Sequence, residues 1–334
     1  MAEKFNPTRR DFLATAAIVT EGMAMAQNRD IPKRPLGKSG VQISALGVGG
    51  YHLGSAKDLN EAKQIVDRAI DAGVNFFDNA WDYHDGRSEE WLGSALKGKR
   101  QNVILMTKVC THGRDKKVAM RQLEDSLRRL QTDHLDVWQI HEVIYYNDPD
   151  LIFAPNGAGE ALLQAKKDGK VRFVGFTGHK DPSIHLRMLN HGFPFDTAQM
   201  PLNCFDATFR SFEERVLPEA NRLGVAVLGM KSLAGSGESV RHGAITAAEG
   251  LRYAMSLPVA TTISGMESLE VLEQNLEIAR GFQPMSATEM AALRNRVRIY
   301  ASDGRLELFK TTKKYDGTVG REQHGYPSPK ELPL

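Results

Sequence analysis

VNFFD (residues 74–78), VILMTK (103–108) and LDVWQIH (135–141) are three short apolar runs, and each ends in an ionisable residue. Strands buried on both faces of a parallel sheet read as nearly continuous apolar runs. Packing alone gives no reason for a carboxylate, an ammonium and an imidazole to end three successive strands. Active sites lie at the carboxyl ends of the strands in a parallel barrel, so the three runs predict a site there.

The alternation of helix and strand continues outward from these runs. Asn60 can cap a helix with apolar residues at helical spacing, and Gly73 ends it before the first run. Similar amphipathic stretches precede the other runs. Five further apolar runs join the three quoted above and make eight, the number of strands that closes a (β/α)₈ TIM barrel. The remaining five are ALGVGG (45–50), VRFVGF (171–176), FDTAQM (195–200), VAVLGM (225–230) and VATTIS (259–264).

Shorter segments lie at both ends of the predicted barrel. RPLG and VQIS, before the first strand, predict a hairpin at the barrel floor. Ser286-Ala-Thr-Glu289 is a capping box that opens a late helix. The pattern fades near Ala301. We therefore expect a barrel over residues 31–300 and a tail over 301–334 that lies over the barrel mouth or is mobile.

Residues 1–30 resemble a targeting segment. Thr8-Arg9-Arg10-Asp11-Phe12-Leu13 is a twin-arginine pattern, and Ala24-Met25-Ala26 fits a cleavage site. This resembles a bacterial Tat signal, which predicts the Tat translocase as a partner and a periplasmic location. Glu21 interrupts the short apolar stretch, so a disordered extension of a cytoplasmic protein is the alternative. The segment is too short to span a bilayer.

The composition argues against several classes of protein. The chain has 334 residues and a net charge of +2, without a basic stripe or nucleic-acid motif, so we expect no nucleic-acid partner. Cys110 and Cys204 lie far apart and outside any CxxC spacing, which gives no cysteine metal site. No HExxH motif indicates a metal hydrolase. A small-molecule substrate is the remaining expectation.

Four residues supply the chemistry of a proton transfer. Tyr83 keeps its proton at neutral pH and can donate it to a carbonyl oxygen. The ammonium of Lys108 favours the resulting tyrosinate, and Asp78 can anchor that ammonium. His141 can orient the substrate oxygen through a ring N–H. The set stabilises negative charge on one oxygen, and a hydride from elsewhere would complete a carbonyl reduction.

Three segments resemble the aldo-keto reductase family. They are FFDNAWDYHDGRSEEWLGSAL (76–96), MTKV (106–109) and QIHE (139–142). The resemblance covers roughly residues 33–300 and implies a catalytic tetrad and a nicotinamide cofactor bound without a Rossmann domain. The implied catalytic residues are Asp78, Tyr83, Lys108 and His141. The implied cofactor-binding residues are Gly49, Gly50, Tyr51, Asp78, Thr177, Gly178, Gln199, Met230, Lys231, Gly265, Gln274 and Asn275.

Some positions depart from the family pattern. Thr177-Gly178-His179 stands where the family often has Ser-Asn. Met230 stands where the family usually has a stacking tyrosine. The next residue, Lys231, could reach the pyrophosphate. Gly265 and Val271 align with the family's phosphate-binding lysine and arginine, with Glu267 and Glu270 nearby. An acid near the ribose favours a bare hydroxyl over a 2′-phosphate. The cofactor is therefore NADPH or NADH.

Other functions fit some of the same residues. Lys108 could be a Schiff-base nucleophile of a barrel aldolase, which leaves Tyr83 without a task. A regulatory module could keep the barrel and the nucleotide and turn over little. Taken singly, Asp78 and Lys108 could form a structural ion pair and His141 could be a core histidine. The order and spacing of the four residues favour the reductase.

Overall fold

The computed structural model describes residues 30–109 and 115–317. Eight parallel strands close into a barrel in chain order, with the last strand paired to the first, which confirms the predicted (β/α)₈ fold. Two strands precede the barrel, β1 (Lys33–Pro35) and β2 (Gln42–Ser44). The barrel strands are β3 (Leu46–Gly49), β4 (Phe76–Asp78), β5 (Ile104–Val109), β6 (Leu135–Ile140), β7 (Val171–Thr177), β8 (Thr197–Pro201), β9 (Ala226–Met230) and β10 (Thr261–Gly265).

The hairpin lies at the barrel floor, as the sequence predicts. β1 and β2 pair antiparallel, with Arg34 opposite Ile43. Ile43 and Leu36 belong to one buried cluster with Phe76 and Met106, which come from neighbouring barrel strands. The hairpin thus packs its apolar side chains against the barrel interior and excludes water from the end opposite the carboxyl ends of the strands.

Fourteen α-helices are present in the described residues, with short 3₁₀ segments in some loops. The longer helices bury one apolar stripe against the strands. In chain order they are α1 (Gly50–Leu53), α2 (Leu59–Asp71), α3 (Arg87–Ala95), α4 (Lys116–Arg129), α5 (Asp148–Ile152), α6 (Ala158–Lys167), α7 (Pro182–Asn190), α8 (Phe212–Arg215), α9 (Leu217–Leu223), α10 (Glu238–Arg241), α11 (Ala247–Ser256), α12 (Leu269–Arg280), α13 (Ala287–Ala301) and α14 (Leu308–Thr311).

Helix caps show one confirmed prediction and one error. Ser286 and Glu289 form the capping box at the start of α13. The predicted cap at Asn60 is wrong, because α2 begins at Leu59 and Asn60 lies inside its first turn. The side chain of Asp58 accepts a hydrogen bond from the backbone N–H of Glu61 (2.9 Å), so Asp58 is the N-cap. An aspartate at that position also favours the positive end of the helix dipole.

The chain stays ordered past the last long helix. Residues 302–317 include α14 and then cross to the loops at the carboxyl ends of the strands. In residues 30–109 and 115–317, no helix is both long and apolar enough to cross a membrane. The twin-arginine pattern and its cleavage site lie outside the described residues, so export by the Tat system stays a prediction.

Candidate active site

Asp78, Lys108 and Tyr83 meet at the carboxyl end of the barrel. β4 and β5 are neighbours, so Asp78 at the end of one and Lys108 near the end of the other lie side by side. The Lys108 Nζ contacts Asp78 Oδ1 at 2.5 Å, the Asn79 carbonyl at 2.7 Å and Tyr83 Oη at 3.2 Å. Lys108 is 1% exposed and Asp78 is 4% exposed. A charge pair this deeply buried requires all of these polar contacts to offset its desolvation.

A second network holds the loop that carries Tyr83. Tyr83 opens a 3₁₀ segment that follows β4. The guanidinium of Arg129 donates to the Trp81 carbonyl (2.8 Å) and to buried Glu89 (3.2 Å). Glu89 also accepts from the hydroxyl of Thr107 at 2.6 Å, and Thr107 precedes Lys108 on β5. The loop and the strand are therefore tied to the same carboxylate, which fixes the phenol relative to the ammonium.

His141 completes the group from the next strand. It follows β6, and its ring packs edge-on against that of Tyr83 with 5.5 Å between centroids. Its Nδ1 lies 3.1 Å from Asp82 Oδ1. Burial opposes ionisation of Asp82, yet His141 holds the pKa of that carboxyl below its ordinary value. An Nδ1–H that donates to Asp82 orients the ring and leaves Nε2 for a ligand.

The electrostatics of Tyr83 differ from the sequence prediction. Burial raises the pKa of Tyr83 well above its usual range, and the charges of Asp78, Asp82 and Glu142 raise it further. The predicted easing of proton loss by Lys108 is therefore outweighed. Burial also raises the pKa of Asp78, against the opposing ammonium of Lys108. The phenol is a firmly protonated donor whose conjugate base would have an ammonium within hydrogen-bond distance.

A cavity of about 510 Å³ extends across the carboxyl ends of the strands from this group. Its walls contain the four catalytic candidates and most of the cofactor candidates. Two candidates do not line it. A Cβ on Gly50 would lie 2.4 Å from the Asp78 carbonyl, and one on Gly178 would lie 2.3 Å from the Val143 carbonyl, so these glycines permit close backbone packing. The candidates that line it are Gly49, Tyr51, Asp78, Tyr83, Lys108, His141, Thr177, Gln199, Met230, Lys231, Gly265, Gln274 and Asn275.

Two groups on the cavity wall fit a nucleotide with an amide and phosphates. Gln199 is 1% exposed, and its Oε1 has no hydrogen-bond partner among the described residues. A buried amide oxygen without a partner is costly, and the carboxamide of a nicotinamide could satisfy it. Lys231 forms no ion pair with a described carboxylate, and its Nζ lies over the rings of Phe309 (5.6 Å) and Tyr315 (5.1 Å). Burial lowers the pKa of Lys231 to about 8.

The last described residues form one wall of the cavity. Tyr315 donates to Glu238 at 3.0 Å, and Asp316 forms an ion pair with Lys180 at 2.8 Å. The backbone N–H of Gly317 donates to the carboxylate of Glu142 at 2.6 Å. The chain after α14 is thus bound to three separate loops at the barrel mouth.

Sequence reasoning missed several residues of the site. Asp82 and Glu142 each adjoin a catalytic candidate in the sequence, so adjacency was an available signal. His179, which follows Thr177 and Gly178, is 3% exposed and lines the cavity, and burial lowers its pKa to about 3. The tail was expected over the barrel mouth or mobile, but nothing in the sequence pattern marks residues 314–317 as the segment that lines the cavity. In the ranges that the structure describes, no cluster of His, Cys, Asp or Glu could hold a metal ion.

Comparisons with known proteins agree with the fold and with the family that the sequence resembles. A model described as "Aldo/keto reductase family" matches residues 45–246. An uncharacterized oxidoreductase of Bacillus subtilis, YqkF, is 27% identical over 310 residues, which span 80% of this chain and 96% of that protein. The 6-dehydroglucose reductase of Novosphingobium aromaticivorans is 30% identical over 217 residues, 60% of this chain and 69% of that protein.

A solved structure gives the same result. The holo form of the aldo-keto reductase AKR11C1 from Bacillus halodurans superposes with a TM-score of 0.68. It is 26% identical, and the match covers 80% of this chain and 96% of that one. The similarity therefore extends over nearly the whole length of that protein.

Proposed function

This chain belongs to the aldo/keto reductase family, and from that premise we propose that it reduces an aldehyde, ketone or sugar carbonyl to an alcohol with NADPH or NADH. The observation that carries the proposal is the contact of Tyr83 Oη with the Nζ of Lys108, an ammonium already paired with buried Asp78. That contact joins a proton donor to the group that stabilises its conjugate base. The other features of the cavity supply orientation and binding.

Tyr83 acts as the general acid. The hydride for the carbonyl carbon would come from a nicotinamide held by the cavity wall. The carbonyl oxygen gains negative charge as the C–O π bond breaks, and the Tyr83 hydroxyl donates its proton to that oxygen. The alcohol is then complete, and the tyrosinate that remains is stabilised by the Lys108 ammonium until solvent returns a proton. The high pKa of Tyr83 keeps the proton in place until this step.

His141 positions the carbonyl. Asp82 accepts from Nδ1–H, so the ring cannot rotate freely, and the imidazolium form of His141, paired with the Asp82 carboxylate, would present an Nε2–H to the substrate oxygen. A donor at that position adds to the stabilisation of charge in the transition state. Its contribution depends on where the substrate sits, so it affects substrate preference as well as rate.

The cofactor contacts follow from the cavity wall. Gln199 and Thr177 would hold the carboxamide, Lys231 the pyrophosphate, and Gln274 with Asn275 the adenosine end. Gly265 and Val271 supply no cation for a 2′-phosphate, and Glu267 on the same wall would repel one. These residues favour NADH, although the proposal covers both nucleotides.

The barrel-aldolase alternative fits the geometry less well. A Schiff base requires a free amine on Lys108, whose side chain is 1% exposed and whose Nζ already contacts a carboxylate, a carbonyl and a phenol. A nucleophilic attack by Lys108 would require the nitrogen to leave these partners. Loss of a tetrad residue would support the regulatory-module alternative, but all four residues are present.

Isotope transfer tests the proposed reaction. The protein is incubated with a carbonyl substrate and with NADPH or NADH that carries deuterium at the hydride-donating carbon. We expect consumption of the nucleotide together with deuterium on the carbinol carbon of the product, measured by mass spectrometry. Product without that deuterium, or no turnover over a panel of aldehydes, ketones and sugars with the nucleotide bound, would count against the reductase.

A further inference from the structure

Glu142 is a buried carboxyl on the cavity wall, one residue after His141. Its backbone has φ of 53°, a left-handed conformation that is unfavourable for a residue with a Cβ. The residue is 9% exposed and its side chain lines the cavity. Its charge is also among those that raise the pKa of Tyr83. The backbone is thus held in a strained form that keeps this carboxyl close to the proton donor.

Only half of the Glu142 carboxyl is hydrogen-bonded. Oε2 accepts from the backbone N–H of Gly317 at 2.6 Å. Among the described residues, no donor contacts Oε1. Burial raises the pKa of Glu142 to about 7, with His141 opposing the shift. A carboxyl with this pKa presents either a lone pair or an O–H to the cavity near neutral pH.

The groups around Glu142 are polar. Asp82 and Asp316 act on its charge, and His141 lies next to it in the chain. Asp316 is itself held by Lys180 on the far side. An apolar aldehyde bound here would cover Oε1 and leave it without a partner, which is unfavourable. A substrate hydroxyl would supply the missing partner.

We propose that Glu142 binds a hydroxyl of the substrate, and that the substrate is a hydroxylated carbonyl compound such as a sugar or a short polyol aldehyde. This inference rests on the proposed carbonyl reduction and names its substrate class. Glu142 takes no part in the proton or hydride transfer. It determines specificity, because a site built to pair with a hydroxyl rejects the analogue that lacks one.

The competing explanation is that Glu142 only anchors the chain after α14. Lys180 provides the matched control, since it also holds this segment and does not line the cavity. Its Nζ binds Asp316 at 2.8 Å and the Thr312 carbonyl at 2.5 Å. Lys180→Met therefore loosens the segment and leaves Glu142 intact.

The test compares glyceraldehyde with propanal, and erythrose with butanal, as matched pairs with and without hydroxyls. The quantity measured is the ratio of kcat/KM within each pair, corrected for the free carbonyl fraction. We expect the wild-type protein to favour the hydroxylated member by about tenfold or more. Glu142→Gln keeps a hydrogen-bonding amide and should keep the preference. Glu142→Leu should reduce the ratio to near one, and Lys180→Met should preserve it.

Three results would overturn the inference. They are turnover of both members of a pair at similar kcat/KM by the wild type, an unchanged ratio in Glu142→Leu, and equal loss of the ratio in Lys180→Met. Each leaves carbonyl reduction itself intact, because propanal or butanal is still reduced. Failure of the wild type to reduce any of the four compounds would instead count against the proposed carbonyl reduction. The role of Glu142 would then be refuted as well, because it depends on that reaction.

Discussion

Two buried lysines lie in contrasting surroundings in this barrel. Lys310, on α14, contacts Asp206 at 2.6 Å, Glu307 at 2.8 Å and the Phe209 carbonyl at 2.9 Å. Lys108 also has three partners, but one of them is the hydroxyl of Tyr83 rather than a second carboxylate.

The surroundings decide what each lysine can do. The Lys310 cluster does not line the described cavity, and its partners are two acids and a carbonyl. Such a network can hold α14 to the segment after β8, which contains Asp206 and Phe209, and the side chains of Asp206, Glu307 and Lys310 are at most 1% exposed. The Lys108 group lines the cavity, and its third partner can pass a proton to a ligand. We therefore propose that the buried lysine–carboxylate pairing is structural at Lys310 and chemical at Lys108.

Lys108→Met should produce the largest change in activity. Without the ammonium, the tyrosinate left after proton transfer loses its stabilising charge, so we expect kcat to fall by about 10² to 10⁴. Steady-state kinetics measures the loss. Nucleotide binding, followed by fluorescence, is the control and should persist. A variant with kcat within about tenfold of the wild type would remove Lys108 from the mechanism.

Lys310→Met should affect stability rather than chemistry. The change leaves Asp206 and Glu307 buried without their cation, which typically costs about 3–5 kcal/mol. Urea unfolding measures the difference, and kcat per folded molecule should stay within a few-fold of the wild type. If stability is unchanged while kcat collapses, the contrast between the two lysines is wrong.

The pH dependence of nucleotide binding should identify Lys231. Its pKa is lowered to about 8, so it is charged below that value and loses its charge as the pH rises through it. An ammonium at the pyrophosphate favours binding, and we therefore expect the dissociation constant to increase across this range. Lys231→Met should bind more weakly at neutral pH, with little of the pH dependence. A wild-type constant that is flat through this range would refute the contact.

Nucleotide preference should show the smallest effect. Gly265 and Val271 offer no cation, and Glu267 lies on the cavity wall, so we expect NADH to bind at least as tightly as NADPH. Glu267→Gln should shift the ratio of dissociation constants towards NADPH by a few-fold, since a partly exposed charge has a modest effect. A strong NADPH preference in the wild type would show that other cations bind the 2′-phosphate.

The barrel and the grouping of the four tetrad candidates could be predicted because both depend on local patterns. Each strand is a short apolar run, and each catalytic candidate lies at or just beyond the end of one. The cap of α2 was misplaced because Asp58 and Asn60 are both good caps and only the backbone distinguishes them.

The sequence analysis expected the tail to lie over the barrel mouth or to be mobile, but the contacts of residues 314–317 could not be predicted, because they join residues distant in sequence. Gly317 meets Glu142, and Tyr315 meets Glu238, across many intervening residues. The raised pKa of Tyr83 was missed for the same reason. It depends on burial and on the charges of Asp78, Asp82 and Glu142, which only the folded chain brings close to the phenol.

The kcat of Tyr83→Phe, measured beside its nucleotide dissociation constant, tests the central claim most directly. The substitution removes one hydroxyl and leaves the ring that packs against Tyr51 and His141. We expect nucleotide binding to be retained and kcat to fall by about 10² to 10⁴, the usual effect of losing a positioned general acid. A phenylalanine variant that turns over at the wild-type rate would contradict it.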